Sequence, residues 1–529
     1  MGIPSYFSYI IKNHVRIVRQ LAQLRQIQHL FMDCNSIIYD LFHAMKEVVD
    51  ESVLIDQIIE RIRHYVRYIG PTKTLYIAFD GVAPLAKMEQ QRTRRHKTVA
   101  TATHNNPNAW STCNITPGTP FMQQLSDKVH AAFQSMPGIE TVKVSTSSEC
   151  GEGEHKLFHH IRTQSLTTTN QENAAVYGLD SDLIMLSLFH CDHFNKLYVF
   201  RETPEFLSIP NISKDDPCHF LDIGELASAI LAEMGQMQNP QSGRSKNQMY
   251  DYVLMCFFLG NDFLPHFPAL NLRTHGLSVL MQTYRKVFSK GKESLTANKQ
   301  IQWNQVHRFI HQLAKQEHEL WTQEYETRAK WGRRKWSTAT DEDRDTILQN
   351  VPVIYRAEEM YISPDEEGWQ GRYYRALLPH APTPTHVCEN YVEGLAWVFR
   401  YYTEGCVNWR WRYQYHYPPL LMDLNEHLSR SRTSDDSVVV TRSPRAPYSF
   451  RVQLAYVIPS QMHAQLLEPK VVECLHGLKR IIASQGIAPP PPKLTYVWAF
   501  CRYFWESHIV IDDISNETLE EWDTAFSTL

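Results

Sequence analysis

No two cysteines in this chain are spaced as CxxC. The ten cysteines stand singly, which argues against a zinc knuckle, a disulfide framework or a dithiol redox site and reads as a reducing, intracellular compartment. An excess of positive charge is also lacking, since 53 Lys and Arg face 57 Asp and Glu for a formal charge of −4. There is no global basic footprint, so any nucleic-acid contact must come from a local patch. No apolar run approaches the roughly eighteen residues of a membrane span. The start, MGIPSYFSYIIKNH, has no apolar signal core, and Tyr6 stands where a myristoylation pattern requires Ser or Thr. No membrane association is expected. No repeat recurs at a fixed period, and 43% apolar with 21% charged residues excludes disorder, collagen-like repetition and coiled coil as global descriptions.

What the 529 residues do contain is ample core-forming sequence with a change of pattern partway along. In the first half, short apolar runs (QHLFMDCN, TLYIAFDG, ETVKVST, AVYGLDSD, KLYVFRE) alternate with amphipathic segments. That alternation predicts an α/β fold with a mostly parallel central sheet flanked by helices. From about Asn271 the sequence becomes charged and helix-compatible, and Gln302 to Asn350 holds no proline, as in a helical extension packed on the sheet region. We therefore expect residues 1–350 to form a core with its extension, and 351–529 a second region completing a substrate channel. The stretches 235–245, 429–446 and 486–493, the last holding Pro489 to Pro492, are polar or proline-rich and read as surface loops.

Three of the expected strands end in acids: HLFM runs into Asp33, LYIAF into Asp80, and VYGL into Asp180 and Asp182. Ligands of open parallel sheets bind outside the carboxyl ends of the strands, so these carboxylates should converge. A single such aspartate is ordinarily a cap or turn former, but three together ask for a cation. If the third strand continues to its edge, Asp180 and Asp182 share one face and Ser181 points to the other. CGEGEHK sets Glu152 and Glu154 in a glycine-punctuated turn entering a helix, and GND sets Asp262 after a hydrophobic helix and a glycine stop. Carboxylates without accompanying His or Cys suit hard cations, magnesium or manganese, and not zinc. A pair of them about 4 Å apart is a device for in-line displacement at phosphorus, activating a water and stabilising the leaving 3′ oxygen.

A basic segment, PLAKMEQQRTRRHK, follows Asp80 directly. At helical spacing Lys87, Gln91, Arg94 and Arg95 share an arc of about 100°, and guanidinium forks match phosphate oxygens. A solvated face is the ordinary reading of such a helix, but its place beside presumptive metal ligands suggests a pocket for a terminal phosphate. Far downstream, WRWRYQYHY interleaves Trp409, Trp411, Tyr413, Tyr415, His416 and Tyr417 with Arg410 and Arg412. The alternation fits either a half-buried strand or a stacking platform for unpaired bases.

Together MGIPSYF, MDCNSIIYD, FDGVAPLAKMEQQRTRR, NITPGTPFM, GEGEHK, YGLDSDLIML, GNDFLPHFP, GRYYR and YVEGLAWVFRYYTEGCVNWRWRYQYHYPP resemble, in order, the 5′-to-3′ exoribonucleases of the XRN type. The resemblance covers residue 1 to about 425, with a weaker echo in QLAYVIPSQMHAQLLEP. It implies a 5′ nuclease core that, with two magnesium ions or manganese in their place, processively degrades single-stranded RNA bearing a 5′ monophosphate to mononucleotides in RNA and mRNA decay. The acids Asp33, Asp80, Glu152, Glu154, Asp180, Asp182 and Asp262 would be metal ligands and catalytic, and Lys87, Gln91, Arg94 and Arg95 would hold the 5′ phosphate. Tyr39, where the family has a histidine, would stack the terminal bases against Trp409 or Trp411. A monomer is expected, acting after a decapping factor, as a nearly bare catalytic core in the cytoplasm in preference to the nucleus. The alternatives are a flap-type DNA 5′ nuclease and a catalytically silent RNA-binding protein.

Overall fold

The computed structural model describes residues 2–3, 5–45, 49–101, 110–164, 171–202, 218–235, 243–288, 293–430, 443–484 and 495–529. Among these, seven strands make one sheet: β1 (Val18–Arg19), β2 (His29–Asp33), β3 (Thr74–Ala78), β4 (Thr141–Ser145), β5 (Asn173–Tyr177), β6 (Lys196–Glu202) and β7 (Cys218–Asp222). Their spatial order is β1-β7-β6-β5-β2-β3-β4. From β6 across to β4 every pairing is parallel, while β7 and then β1 close the other edge antiparallel. The five strands paired in parallel, β2 to β6, are the five apolar runs of the sequence. The antiparallel edge was not legible there, because β1 is two residues long and β7 follows a polar stretch.

Both faces of the sheet are covered, and the two-residue period of a strand sorts the side chains between them. On β2, Leu30 and Met32 enter one core with Leu75, Ile77, Ile58 and Phe121, under the helices Asn35–Ala44, Glu51–Ile69 and Pro120–Ala132. Phe31 enters the opposite core with Val176, Phe158, Leu183 and much of the helical extension. β2 and β5 are buried along their whole length, which is why they read as unbroken apolar runs.

The proline-free stretch forms the helices Trp303–Ala314, Glu317–Gly332 and Asp341–Ile354, followed by the long helix Pro384–Thr403. A third cluster joins Leu85 and Met88 of the basic helix Leu85–Thr101 to Val452, Leu454, Leu519 and Phe526, so the carboxy-terminal residues pack on that helix. They are anchored on the extension as well: buried Arg328 pairs with Glu359 at 2.6 Å, and Glu359 accepts from the Phe500 backbone N–H at 3.0 Å.

WRWRYQYHY is not a strand; it runs irregularly between Pro384–Thr403 and Leu421–Arg430. Tyr413 Oη donates to the Tyr417 carbonyl at 2.9 Å within it, and just before it the Asn408 carbonyl accepts from Trp397 Nε1 at 2.8 Å. Of the expected loops, 236–242, 431–442 and 486–493 lie outside the described residues, and 243–245 already belong to the helix Gly243–Cys256.

Candidate metal centre and phosphate-binding helix

Asp33 is the last residue of β2 and Asp80 lies two residues beyond β3, so parallel pairing of these strands puts both acids at one carboxyl edge. Asn35 fixes Asp80, donating from Nδ2 to Oδ2 at 2.6 Å and accepting the Asp80 N–H at 3.1 Å. The other oxygen, Oδ1, accepts from Gly153 N–H at 2.7 Å, at the start of the helix Gly153–Gln164. Glu154 belongs to that first turn, and one carboxylate oxygen each of Asp33, Asp80 and Glu154 lie within 4.8 Å of one another. Gly151, with φ of +107°, turns the chain so that Glu152 is buried beside them at 1% exposure.

Asp180 and Asp182 arrive differently from the strand-face expectation. β5 ends at Tyr177, Ser181 caps a helix in the right-handed region, and Asp182 is its first residue. Turn and helix geometry therefore place the two acids, not strand alternation. Asp262 follows Gly260, whose φ of +83° ends the run of helix before it.

Six of the seven acids line one 220 Å³ cavity, together with Asn35, Tyr39, Lys87, Gln90, Gln91 and Arg94. The seventh, Asp182, is buried at 3% exposure and is hydrogen-bonded by the Tyr402 hydroxyl. Lys87 reaches into the acids, its Nζ 2.5 Å from Glu152 and 2.7 Å from Asp262. The Tyr401 hydroxyl donates to the remaining Glu152 oxygen at 2.8 Å.

Burial, and then the charges of Asp80 and Asp180, push Asp33 well above the usual carboxylate range. Glu154 is raised by burial and by Glu152 and Asp33, and Asp182 is pushed up to about 7 by burial and Asp262. Asp262 falls on the other side: burial opposes ionisation, but the charge and hydrogen bond of Lys87, with further positive charge including Arg94, together hold the carboxyl low. Asp33 Oδ1 and Asp182 Oδ1 are buried without a hydrogen-bond partner. Crowded, mutually repelling oxygens with orphaned lone pairs fit a hard divalent cation, which would reverse the tendency to protonate.

On the basic helix, Arg94 lines the cavity and its Nη2 donates to the Tyr39 hydroxyl at 2.6 Å, where Arg95 Nη2 also donates at 3.0 Å. Arg95 is buried and donates further to the Ile115 carbonyl at 2.8 Å. Gln91 accepts from Gln453 Nε2 at 3.4 Å. The helix face is thus common to all four residues, but Arg94 is the guanidinium that opens into the cavity.

The aromatic assignments divide. Trp411, expected as a stacking surface for bases, is a core residue: it is 6% exposed and stacks on Trp397 with centroids 5.0 Å apart. Trp409 is half-buried and borders the turn at Gly151, and its carbonyl accepts from Leu85 N–H at 2.9 Å, at the start of the basic helix. The interleaved arginines are engaged elsewhere. Arg410 pairs with Glu520 and Asp523, and Arg412 with Glu89 and Asp513. Sequence reasoning passed over Asn35 and Tyr401; Asn35 stands two residues beyond Asp33, whereas nothing local marks Tyr401.

A parallel sheet carrying buried carboxylates at its carboxyl edge, beside a guanidinium, defines a centre suited to phosphate chemistry. Residues 1–203 match the XRN 5′-3′ exonuclease N-terminus, and residues 245–363 and 362–434 match the Xrn1 helical domain. The chain belongs to the XRN 5′-3′ exonuclease family. It is 27% identical to a 5′-3′ exoribonuclease 2 homolog of Drosophila melanogaster over 80% of this chain and 61% of that protein. To 5′-3′ exoribonuclease 1 of Schizosaccharomyces pombe it is 25% identical, over 88% of this chain and 44% of that protein. The chain thus spans less than two thirds of these relatives' lengths. Among solved structures it overlaps the catalytic core of Rad2 in complex with DNA substrate at a TM-score of 0.35 and 12% identity, over 82% of this chain and 95% of that one.

Proposed function

We propose that the protein is a 5′-to-3′ exoribonuclease that hydrolyses single-stranded RNA bearing a 5′ monophosphate, processively and with magnesium, to nucleoside 5′-monophosphates. The observation that carries this reading is one small cavity in which the converging acids and Arg94 face each other. Asp33, Asp80 and Glu154 would hold one cation, with Glu152, Asp180, Asp182 and Asp262 available to a second. Such ions supply an activated water and neutralise charge developing at phosphorus.

The chain's own residues do the positioning. Arg94 takes the terminal phosphate, and the Tyr39 hydroxyl, accepting from both Arg94 and Arg95, fixes the fork before substrate arrives. Asn35 and the Gly153 N–H hold Asp80 in one rotamer, and Lys87 pairs with Glu152 and keeps Asp262 ionised in a dry site. A triphosphate or a cap adds bulk and charge that a 220 Å³ cavity among acids disfavours, so a decapping step would precede this one. We place the protein in cytoplasmic mRNA decay as a monomer.

The test uses one RNA with a 5′ monophosphate, hydroxyl or triphosphate, a duplex DNA flap, magnesium, and Asp182→Asn as control. Mononucleotide release from the monophosphate RNA, lost in the variant with RNA binding retained, is expected. Equal cleavage of the flap refutes the RNA assignment, and unchanged cleavage by the variant removes the metal-site assignment.

A further inference from the structure

Behind the basic helix lies a second, larger cavity of 590 Å³. Gln90, Arg94 and Asp262 border both cavities, so the two meet at the guanidinium assigned to the terminal phosphate. The far wall comes from residues 499–508, which lie beyond the family-matched regions. We infer that this cavity is a product chamber that takes the released nucleoside 5′-monophosphate, its phosphate at Arg94 and its base against Phe504 and Trp505.

Trp505 is 45% exposed although it lines a cavity, and Tyr503 stacks on its ring at 6.2 Å, so the ring reaches the cavity braced from its own segment. Arg273 lies 6.0 Å from that ring, and Lys97 Nζ donates to the Trp505 carbonyl at 3.0 Å, tying the wall to the basic helix. Asn261 Nδ2 and His266 Nε2 are among the buried atoms of lining residues that have no hydrogen-bond partner. Buried polar atoms are nearly always satisfied, and an amide donor and an imidazole nitrogen lining one cavity suit the edge of a base. The wall is also strained: Phe500 holds a φ of +62°, which a bulky residue keeps only where the surroundings enforce it.

Charge decides between a whole strand and one nucleotide. Arg94, Lys97 and Arg273 face Glu89, Asp262 and Glu506, and a track for several phosphates would need a surplus of cations. The volume lies within the ordinary range for a small-molecule site.

This inference rests on the exoribonuclease reading, but its test needs no turnover. Full-length protein is irradiated with 8-azidoadenosine 5′-monophosphate and the labelled peptides are mapped. We expect label on residues 504–508, displaced by AMP, weakened about tenfold in Trp505→Ala and restored in Trp505→Phe, as loss of one stacking contact predicts. Label confined to the Tyr39 side of the catalytic cavity overturns the proposal. So does cross-linking of 504–508 to 4-thiouridine placed in the body of an RNA, since the cavity would then carry the chain itself. If capture persists while the unmodified protein releases no mononucleotide from any RNA, the nucleotide site stands and the activity assignment falls.

Discussion

Gly153→Ala separates catalytic geometry from stability more sharply than removing an acid does. A Cβ built on Gly153 falls 2.4 Å from Asp33 Oδ1 and 3.5 Å from Asp80 Oδ1, so the Asp33 carboxylate must retreat by up to about 1 Å to restore van der Waals separation. Asp33 is a short side chain at a strand end, 6% exposed, and can move only by turning its oxygens away from Asp80 and Glu154. A displacement of that size costs on the order of 100-fold in rate when it falls on positioning groups. Stability should hardly change, because Gly153 is in the first turn of a helix without positive φ, where alanine is intrinsically preferred. The displaced Asp33 Oδ1 loses no hydrogen bond either. The assay is mononucleotide release from 5′-monophosphorylated RNA across a magnesium titration, with thermal unfolding alongside. Gly371→Ala is the control: nothing lies within 4 Å of its built Cβ, so it should keep full activity and gain about 0.5–1 kcal/mol. A Gly153→Ala protein with rate and magnesium dependence within threefold of the original would refute the placement of Asp33 in the metal centre.

Trp411→Ala should cost about 3–5 kcal/mol of stability as a cavity in the Trp397 stack, whereas Trp409→Ala should leave the unfolding midpoint nearly unchanged and weaken binding of single-stranded RNA. Chemical denaturation and a binding titration on both variants check this, and the reverse pattern would restore Trp411 as the stacking partner. A second prediction concerns pH. His190 is pushed down to about 3, first by burial and then by the Arg162 charge, with Nδ1 bonded to the Leu186 carbonyl at 2.7 Å and Nε2 facing Arg162 at 3.3 Å. The folded value lies below the unfolded one of about 6.5, so the unfolded chain binds the extra proton. Stability from this group is therefore full above pH of about 6.5 and lost as pH falls toward 3, on the order of 5 kcal/mol in all. Denaturation between pH 4 and 7 should show a shallower slope for His190→Gln; parallel slopes would mean that His190 does not titrate as its surroundings require.

The parts of this protein that could be read from its sequence are those whose cause is local. β2, β3 and β5 are fully or nearly fully buried, so they appear as apolar runs, and the acids that follow them converge because parallel strands share a carboxyl edge. The basic helix was legible because the 3.6-residue period alone groups Lys87, Gln91, Arg94 and Arg95. What could not be read is which long-range partner each side chain finds. Nothing near Lys87 in the sequence says that its ammonium ends between Glu152 and Asp262, since that depends on a helix and a turn brought together by the fold.

WRWRYQYHY shows the same limit from the other direction. Its alternating pattern is compatible with a strand, with a base platform and with what is found, an irregular strap whose Trp411 faces the Trp397 core while Arg410 and Arg412 fasten Glu520, Asp523, Glu89 and Asp513. The deciding energies are not local: a tryptophan gains more from a core than from solvent, and a guanidinium flanked by carboxylates stays with them. Arg412 joins Glu89, on the basic helix, to the carboxy-terminal residues. The strap therefore braces the helix that carries Arg94, and its arginines contribute to the site by holding that helix, without touching the substrate cavity themselves.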